Sequence, residues 1–228
     1  MTISKKALFS AAVASLALAG ASFAAEGEPV GASYVDQFFG SELSSAWVQG
    51  YEPVQFWVED GHLVGRQLNP KHGATIRVFI DKTADIVFTF DAKFSGKSQF
   101  NAVMGDPDSK DYTWAGHVAR FSVRAKSINL SDDIEGFMKL EHRAMPKEER
   151  AAAAAPHRSD FKTAAPLNDG QWHNYRMETR GETATLWLDG ELLGELTSPG
   201  FAHPGKTRFG FTVDGEEVQF DNVVVAPL

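Results

Sequence analysis

Cysteine is absent from all 228 residues. That excludes a disulfide framework, a thiol nucleophile, a thiolate-bound metal and a lipid-carrying anchor cysteine, so the fold must be held by its core alone. Positive charge is in deficit as well. Twenty-two Lys and Arg face 30 Asp and Glu, a net charge of −8. Phosphate backbones and anionic lipid demand clustered cations, so nucleic acid is excluded as a partner. Beyond residue 24 no apolar run is long enough to span a bilayer, and no membrane contact is expected of the mature chain. Several chemical signatures are also missing: the nucleophile elbow, the phosphate-cradling glycine loop, the H-E-x-x-H metal motif and the dinucleotide fingerprint. So is the E-x-D-x-x-E string by which one strand aims three carboxylates at a glycosidic bond.

The N-terminus is informative. Lys5 and Lys6 form a basic segment, residues 7–19 are apolar and rich in alanine, and Ser22-Phe23-Ala24 places small residues at cleavage-rule positions. This pattern predicts a Sec-type signal peptide over 1–24 and export to the periplasm or the medium. Removing two lysines takes the charge from −8 to −10. Residues 25–228 then form one domain, a length ordinary for a β-rich core.

Short alternating runs dominate that domain. Strands are predicted at 35–39, 56–58, 62–66, 74–80, 85–94, 100–104, 117–124, 127–131 and 137–142, and again at 172–180, 183–188, 192–196, 207–213 and 218–225. The run at 85–94 is the clearest, with Ile86, Phe88, Phe90, Ala92 and Phe94 on one face. Asp60-Gly61, Asp189-Gly190 and Asp214-Gly215 mark hairpins. Residues 146–155, Pro-Lys-Glu-Glu-Arg followed by five alanines, predict one short inserted helix stopped by Pro156. The fold class is all-β, a two-sheet antiparallel jelly-roll sandwich.

These runs carry a resemblance. Phe56-Trp57-Val58-Glu59-Asp60-Gly61-His62-Leu63, the strand 85–94 leading to Asn101, Trp172-His173-Asn174-Tyr175, Leu188-Asp189-Gly190 and Phe220-Asp221-Asn222-Val223 are similar to motifs of the 3-keto-disaccharide hydrolase family. The resemblance implies a concanavalin A-like jelly roll. It also implies hydrolysis of a glycosidic bond in a 3-keto-disaccharide or related saccharide. Oxidation at that carbon acidifies the neighbouring C–H, so cleavage by proton abstraction and elimination would need no carboxylate pair. Trp57 and Trp172 match structural positions of the family and are expected in the core. The chain departs from the pattern at Asn101-Ala102-Val103 and Gly116-His117-Val118-Ala119-Arg120. Many members have Asn-Ser-Gly and a Gly-Tyr-Glu strand there. That departure favours one alternative, a non-catalytic carbohydrate-binding module; a laminin-G-like surface interaction domain, built on the same sandwich, is the other.

Candidate site residues follow from side-chain chemistry. His117 and His142 titrate near neutrality and suit proton transfer, with Arg120 beside His117 as the third catalytic candidate. Strict alternation puts His117 and Ala119 on one face, Val118 and Arg120 on the other. For saccharide binding, planar donors and aromatic platforms are supplied by Arg143, Arg176 and Trp187, and by Tyr112 and Trp114 in one loop. Taken singly, each also reads as an ordinary polar strand residue or a packed ring. Two acidic strings, Asp106-Pro107-Asp108-Ser109-Lys110-Asp111 and Asp132-Asp133-Ile134-Glu135, read first as solvated loops and second as a structural calcium site. No cofactor is expected.

Overall fold

A computed structural model describes residues 27–50 and 53–228; the leader expected over 1–24 lies outside them. In chain order the strands are β1 Tyr34–Asp36, β2 Val48–Gln49, β3 Phe56–Glu59, β4 His62–Gly65, β5 Ala74–Thr83, β6 Ile86–Phe94, β7 Gln99–Gly105, β8 His117–Arg124, β9 Ser127–Asp132, β10 Arg158–Lys162, β11 His173–Arg180, β12 Thr183–Leu188, β13 Glu191–Thr197, β14 Lys206–Asp214 and β15 Val218–Pro227. Two helices, α1 Leu140–Arg143 and α2 Lys147–Ala154, sit between β9 and β10. The strands form two antiparallel sheets. One runs β13-β12-β11-β6-β15-β4-β3, with β1 also paired to β15; the other runs β10-β9-β8-β7-β14-β5-β2.

Alternation explains the stacking. Along β6 the residues from Ile86 to Phe94 are buried at every second position, as the 85–94 pattern predicts. Rings from the two inner faces interlock. Phe90 stacks on Phe121 with centroids 5.6 Å apart, and Phe211 stacks on Phe220 at 4.0 Å. Apolar burial of this kind is the main favourable term in a chain that has no crosslink.

The turns sort into two kinds. At Asp60-Gly61 and Asp189-Gly190 all four residues have positive φ, between 51° and 81°. That is the type I′ geometry that Asp-Gly favours, and both close hairpins. Asp214-Gly215 does not. It carries the chain from β14 in one sheet to β15 in the other, so the third expected hairpin is a crossover between layers.

The segment before β10 also differs from expectation. Residues 137–142 form a turn and the start of α1, not a strand. A Cβ at Gly136 would lie 2.2 Å from the Asp132 carbonyl oxygen, so this glycine lets the chain fold back. Leu140 N–H then donates to the Tyr112 carbonyl, 2.9 Å away. The helix expected at 146–155 is present as α2. Strand β10 was not anticipated, because Arg-Ser-Asp-Phe-Lys contains one apolar residue and shows no apolar alternation.

The tryptophans exchange roles. The core indole is Trp47, 5% exposed, packed on Phe38 and Phe211 with its N–H donated to Asp36 at 2.9 Å. Trp172 is 37% exposed, beside His62 and beneath the Lys93 ammonium. Trp57 is half-buried on edge strand β3, with its N–H on Glu59. An indole N–H needs a polar partner, and an edge strand leaves room for one.

Candidate functional site

The outer face of the β10–β2 sheet is polar and lies in rows set by register. One row crosses the sheet as Arg77, Gly210, Val103, Arg120, Ser131 and Arg158. The next runs Thr75, Thr212, Asn101, Ser122, Asn129 and Asp160. Short side chains therefore floor the middle of the sheet, while arginines stand at its sides. Gly210 is obligatory in this floor. Its φ is +156°, and a Cβ there would sit 2.1 Å from the Ile76 carbonyl oxygen. Over the β8–β9 end, Phe137, Ala154 and His157 from the helical insertion close a cavity of about 310 Å³, whose lining includes Arg120, Asn101 and Ser122.

His117 and Arg120 converge, although strict alternation predicts opposite faces. Met104 pairs with Ala119 but Gly105 with His117, so Val118 is an extra residue, a β-bulge. The bulge turns His117 onto the face that carries Arg120, and both meet Asp133. Arg120 donates to one Asp133 carboxylate oxygen at 3.1 Å, while His117 Nδ1 stands 3.7 Å from the other. Asp133 is fully buried. Two polar atoms at the centre of this constellation, His117 Nδ1 and Asp133 Oδ2, have no hydrogen-bond partner.

The electrostatics are asymmetric. Burial, with Arg120, Arg208, Arg77 and Arg143 around it, holds the His117 imidazole well below its ordinary titration range and therefore neutral. Burial pushes the Asp133 carboxyl upward, and the Arg120 cation partly opposes this. Each arginine is positioned by identifiable contacts. Arg208 donates to the Ala115 and Gly116 carbonyls at 2.5 and 3.1 Å, lying across Gly105, where a Cβ would be 2.6 Å from its guanidinium. Arg77 donates to the Ile76 and Phe211 carbonyls and to Thr212. The Arg143 guanidinium lies 4.4 Å from the Trp114 ring centre. Burial and the like charges of Arg150 and Arg120 hold Arg143 below the usual guanidinium range.

Four of the anticipated residues, His117, Arg120, Arg143 and Trp114, therefore gather at one end of this face. The other four do not. His142, on α1, is engaged through Nδ1 with the Gly136 carbonyl at 2.8 Å. Arg176 and Trp187 face each other across β11 and β12 of the opposite sheet, where Arg176 pairs with Glu178. Tyr112 contacts His203, which is itself paired with Asp106, in a separate depression that includes Lys139 and Pro199.

The acidic strings differ from the solvated-loop expectation: Asp108, Lys110 and Asp111 are exposed as expected, but Asp106, Asp132 and Asp133 are buried. Asp132 and Asp133 are both fully buried. Asp132 accepts from the Ile134, Glu135 and Gly200 N–H groups and from the Ser198 hydroxyl. Asp106 is buried and caps the short 3-10 turn that follows it. Among the described residues, no group of three or more His, Asp or Glu side chains could hold a metal ion. Three residues of the constellation were missed: Asp133, Arg77 and Arg208. A signal existed for the arginines, since each interrupts an apolar strand, Ala-Thr-Ile-Arg-Val-Phe-Ile and Thr-Arg-Phe-Gly-Phe.

A family model described as a 3-keto-alpha-glucoside-1,2-lyase-like domain matches residues 34–226. No curated protein matches the chain. Among solved structures it is similar to a sialidase, with 15% identity and a TM-score of 0.59 over 86% of this chain, but it spans only 18% of that protein. It is also similar to a β-glucanase from Bacillus licheniformis, with 8% identity and a TM-score of 0.60 over 88% of this chain and 100% of that one. A third similarity is to the carbohydrate-binding module CBM66 from Bacillus subtilis, with 15% identity and a TM-score of 0.53 over 79% and 95% of the two chains. At such identities these structures show the fold, the concanavalin-like jelly roll, which serves catalysis in some proteins and binding in others. No helix among the described residues is long and apolar enough to cross a membrane.

Proposed function

The chain belongs to the 3-keto-alpha-glucoside-1,2-lyase-like family, a carbohydrate-active one, and on that premise we propose that it cleaves a 3-keto-glycoside by elimination. The observation that carries the reading is His117, a neutral imidazole held 3.7 Å from a buried carboxyl and ringed by arginines on the floor of a polar trough. A ketone at C3 acidifies the C2–H. His117 takes that proton, and the electron pair forms an enolate on O3, which nearby guanidinium groups stabilise. The C1–O bond then breaks as C1=C2 forms. The released alkoxide takes up a proton, leaving an unsaturated 3-keto sugar and a free alcohol or saccharide. Addition of water to the double bond would complete a net hydrolysis.

In this scheme Asp133 offsets the charge that His117 gains, and Arg120 holds Asp133 in place. A base must be unprotonated before it can act, and burial together with the arginines keeps His117 so. Trp114, 45% exposed, offers the sugar an apolar face. The opening 24 residues support an exported setting as part of the same proposal.

The test is to incubate purified protein with C2-deuterated 3-keto-trehalose or a 3-keto-glucoside and follow three signals: the released glucose or alcohol, a conjugated-enone absorbance, and loss of deuterium from C2. We expect all three in the unaltered protein and at least a 100-fold fall for His117→Ala, the usual scale for a proton-transfer residue. Saccharide binding without turnover or deuterium loss, in verified folded protein, returns the chain to the binding-module reading. In that case Trp114→Ala should still weaken the binding.

A further inference from the structure

The cavity beside the His117–Asp133 constellation is a site in its own right. It shares Arg120 with that constellation, then extends away from it along β7, β8 and β9 beneath Phe137 and His157. Its floor is the row Asn101, Ser122 and Asn129, whose side chains are short and carry only neutral donors and acceptors. These side chains are pre-positioned. Ser122 donates to the Asn101 side-chain amide oxygen Oδ1 at 2.5 Å, and Asn129 Nδ2 donates to the Ser159 backbone carbonyl at 3.1 Å. Of the charged groups in its lining, Arg120 is paired with Asp133 and Arg158 with Asp160, and the remaining two, Arg124 and Asp214, carry opposite signs. Phe137 supplies an aromatic wall, and the Arg150 guanidinium lies 4.4 Å from its ring centre. A volume of about 310 Å³ is at the lower end of the range for small-ligand pockets.

We propose that this cavity is a second saccharide subsite, which receives the sugar on the leaving side of the cleaved bond. The ligand class is an uncharged hexopyranose, joined through its glycosidic oxygen to the ring held at His117. Two features carry the assignment. Neutral amides and hydroxyls at fixed spacing match sugar hydroxyls, which both donate and accept. The aromatic wall matches the C–H face of a pyranose. The inference rests on the elimination reading for the direction of the bond. The cavity's selectivity for a second ring is independent of it.

The experiment compares 3-keto-trehalose with methyl 3-keto-α-glucoside, which presents only a methyl group to the cavity. Measured are kcat/KM, and Kd by calorimetry, for the unaltered protein, Asn101→Ala and Ser122→Phe. The disaccharide should be favoured at least tenfold in the unaltered protein, with the ratio falling toward one in both variants. Ser122 faces outward from the sheet, and Asn101→Ala leaves the floor intact should the phenylalanine disturb folding. If neither ligand is turned over but the affinity ratio behaves this way, the elimination fails and the subsite stands. If turnover occurs with equal kcat/KM and Kd for the two ligands, the subsite is overturned and the reaction stands. A preference that survives both substitutions overturns the subsite as well. Absence of binding by either ligand removes both readings.

Discussion

His117 is a residue whose chemistry is set by its neighbours. The groups facing it are Asp133, Arg120, Arg208, Arg77 and Arg143, and the cations outnumber the anion. Protonating it would add charge to a buried cationic cluster. Its titration point is therefore lowered from the ordinary 6.5, with burial as the larger cause. In the unfolded chain the same histidine binds a proton near 6.5. Below that pH the unfolded state holds more protons than the folded one, so stability falls as pH drops, by about 1.4 kcal/mol per unit at most from this group. His117→Gln removes the term. Urea unfolding at pH 7.5, 6.5 and 5.5 should show the variant losing less stability than the unaltered protein over the lower interval. Equal losses would show that His117 titrates normally in the folded state. The reaction reports the same property, since the acid limb of kcat/KM should lie below 6.5.

At the scale of elements, the outcome depends on what each strand displays. β6 was legible because its alternation is complete and both of its neighbours are strands. β10 was illegible because its pairing to β9 relies on backbone hydrogen bonds with a single apolar anchor, Phe161. The bulge at Val118 was equally hidden. No residue type announces it, yet it decides that His117 and Arg120 share a face. The convergence on Asp133 depends on that bulge and on tertiary burial, so from sequence the acidic string reads as a loop or a calcium site and not as part of this constellation. Gly210 shows how an element shapes the site. Its Cβ-free backbone lets β14 approach β5 while leaving the trough open between Arg77 and Val103. Gly210→Ala must push β14 away from the Ile76 carbonyl. A loss of about 3 kcal/mol is expected, measurable as a lowered urea midpoint. A midpoint within experimental error of the unaltered protein would mean that the sheet relaxes at no cost.

For the whole molecule, the question is what ties the two sheets to the helical insertion in a chain with no disulfide. Asp132 is the tie. It ends β9 on the site-bearing sheet and accepts from Ser198 at 2.5 Å and from Gly200 N–H at 2.8 Å, both just beyond β13 of the other sheet. It also accepts from Ile134 and Glu135, where the insertion begins. Ser198 in turn meets His157 at 2.8 Å, where the insertion ends. One carboxylate thus fixes the start of the cavity's roof directly, its end through Ser198, and both layers of the sandwich. It also sets the backbone of Asp133, the next residue. Asp132→Ala takes the acceptor from the Ile134, Glu135 and Gly200 N–H groups and leaves the Ser198 hydroxyl only its His157 contact, and should cost about 3–5 kcal/mol. Ser198→Ala removes one of those donors and should cost about 1 kcal/mol. The two costs and the cavity's selectivity should move together. Asp132→Ala, in conditions where it remains folded, should lose discrimination between 3-keto-trehalose and methyl 3-keto-α-glucoside, because Phe137 and His157 are no longer held over the floor. Equal stability losses for the two variants would show that Asp132 is only one contact among many. Retained discrimination in Asp132→Ala would show that the roof is held from elsewhere.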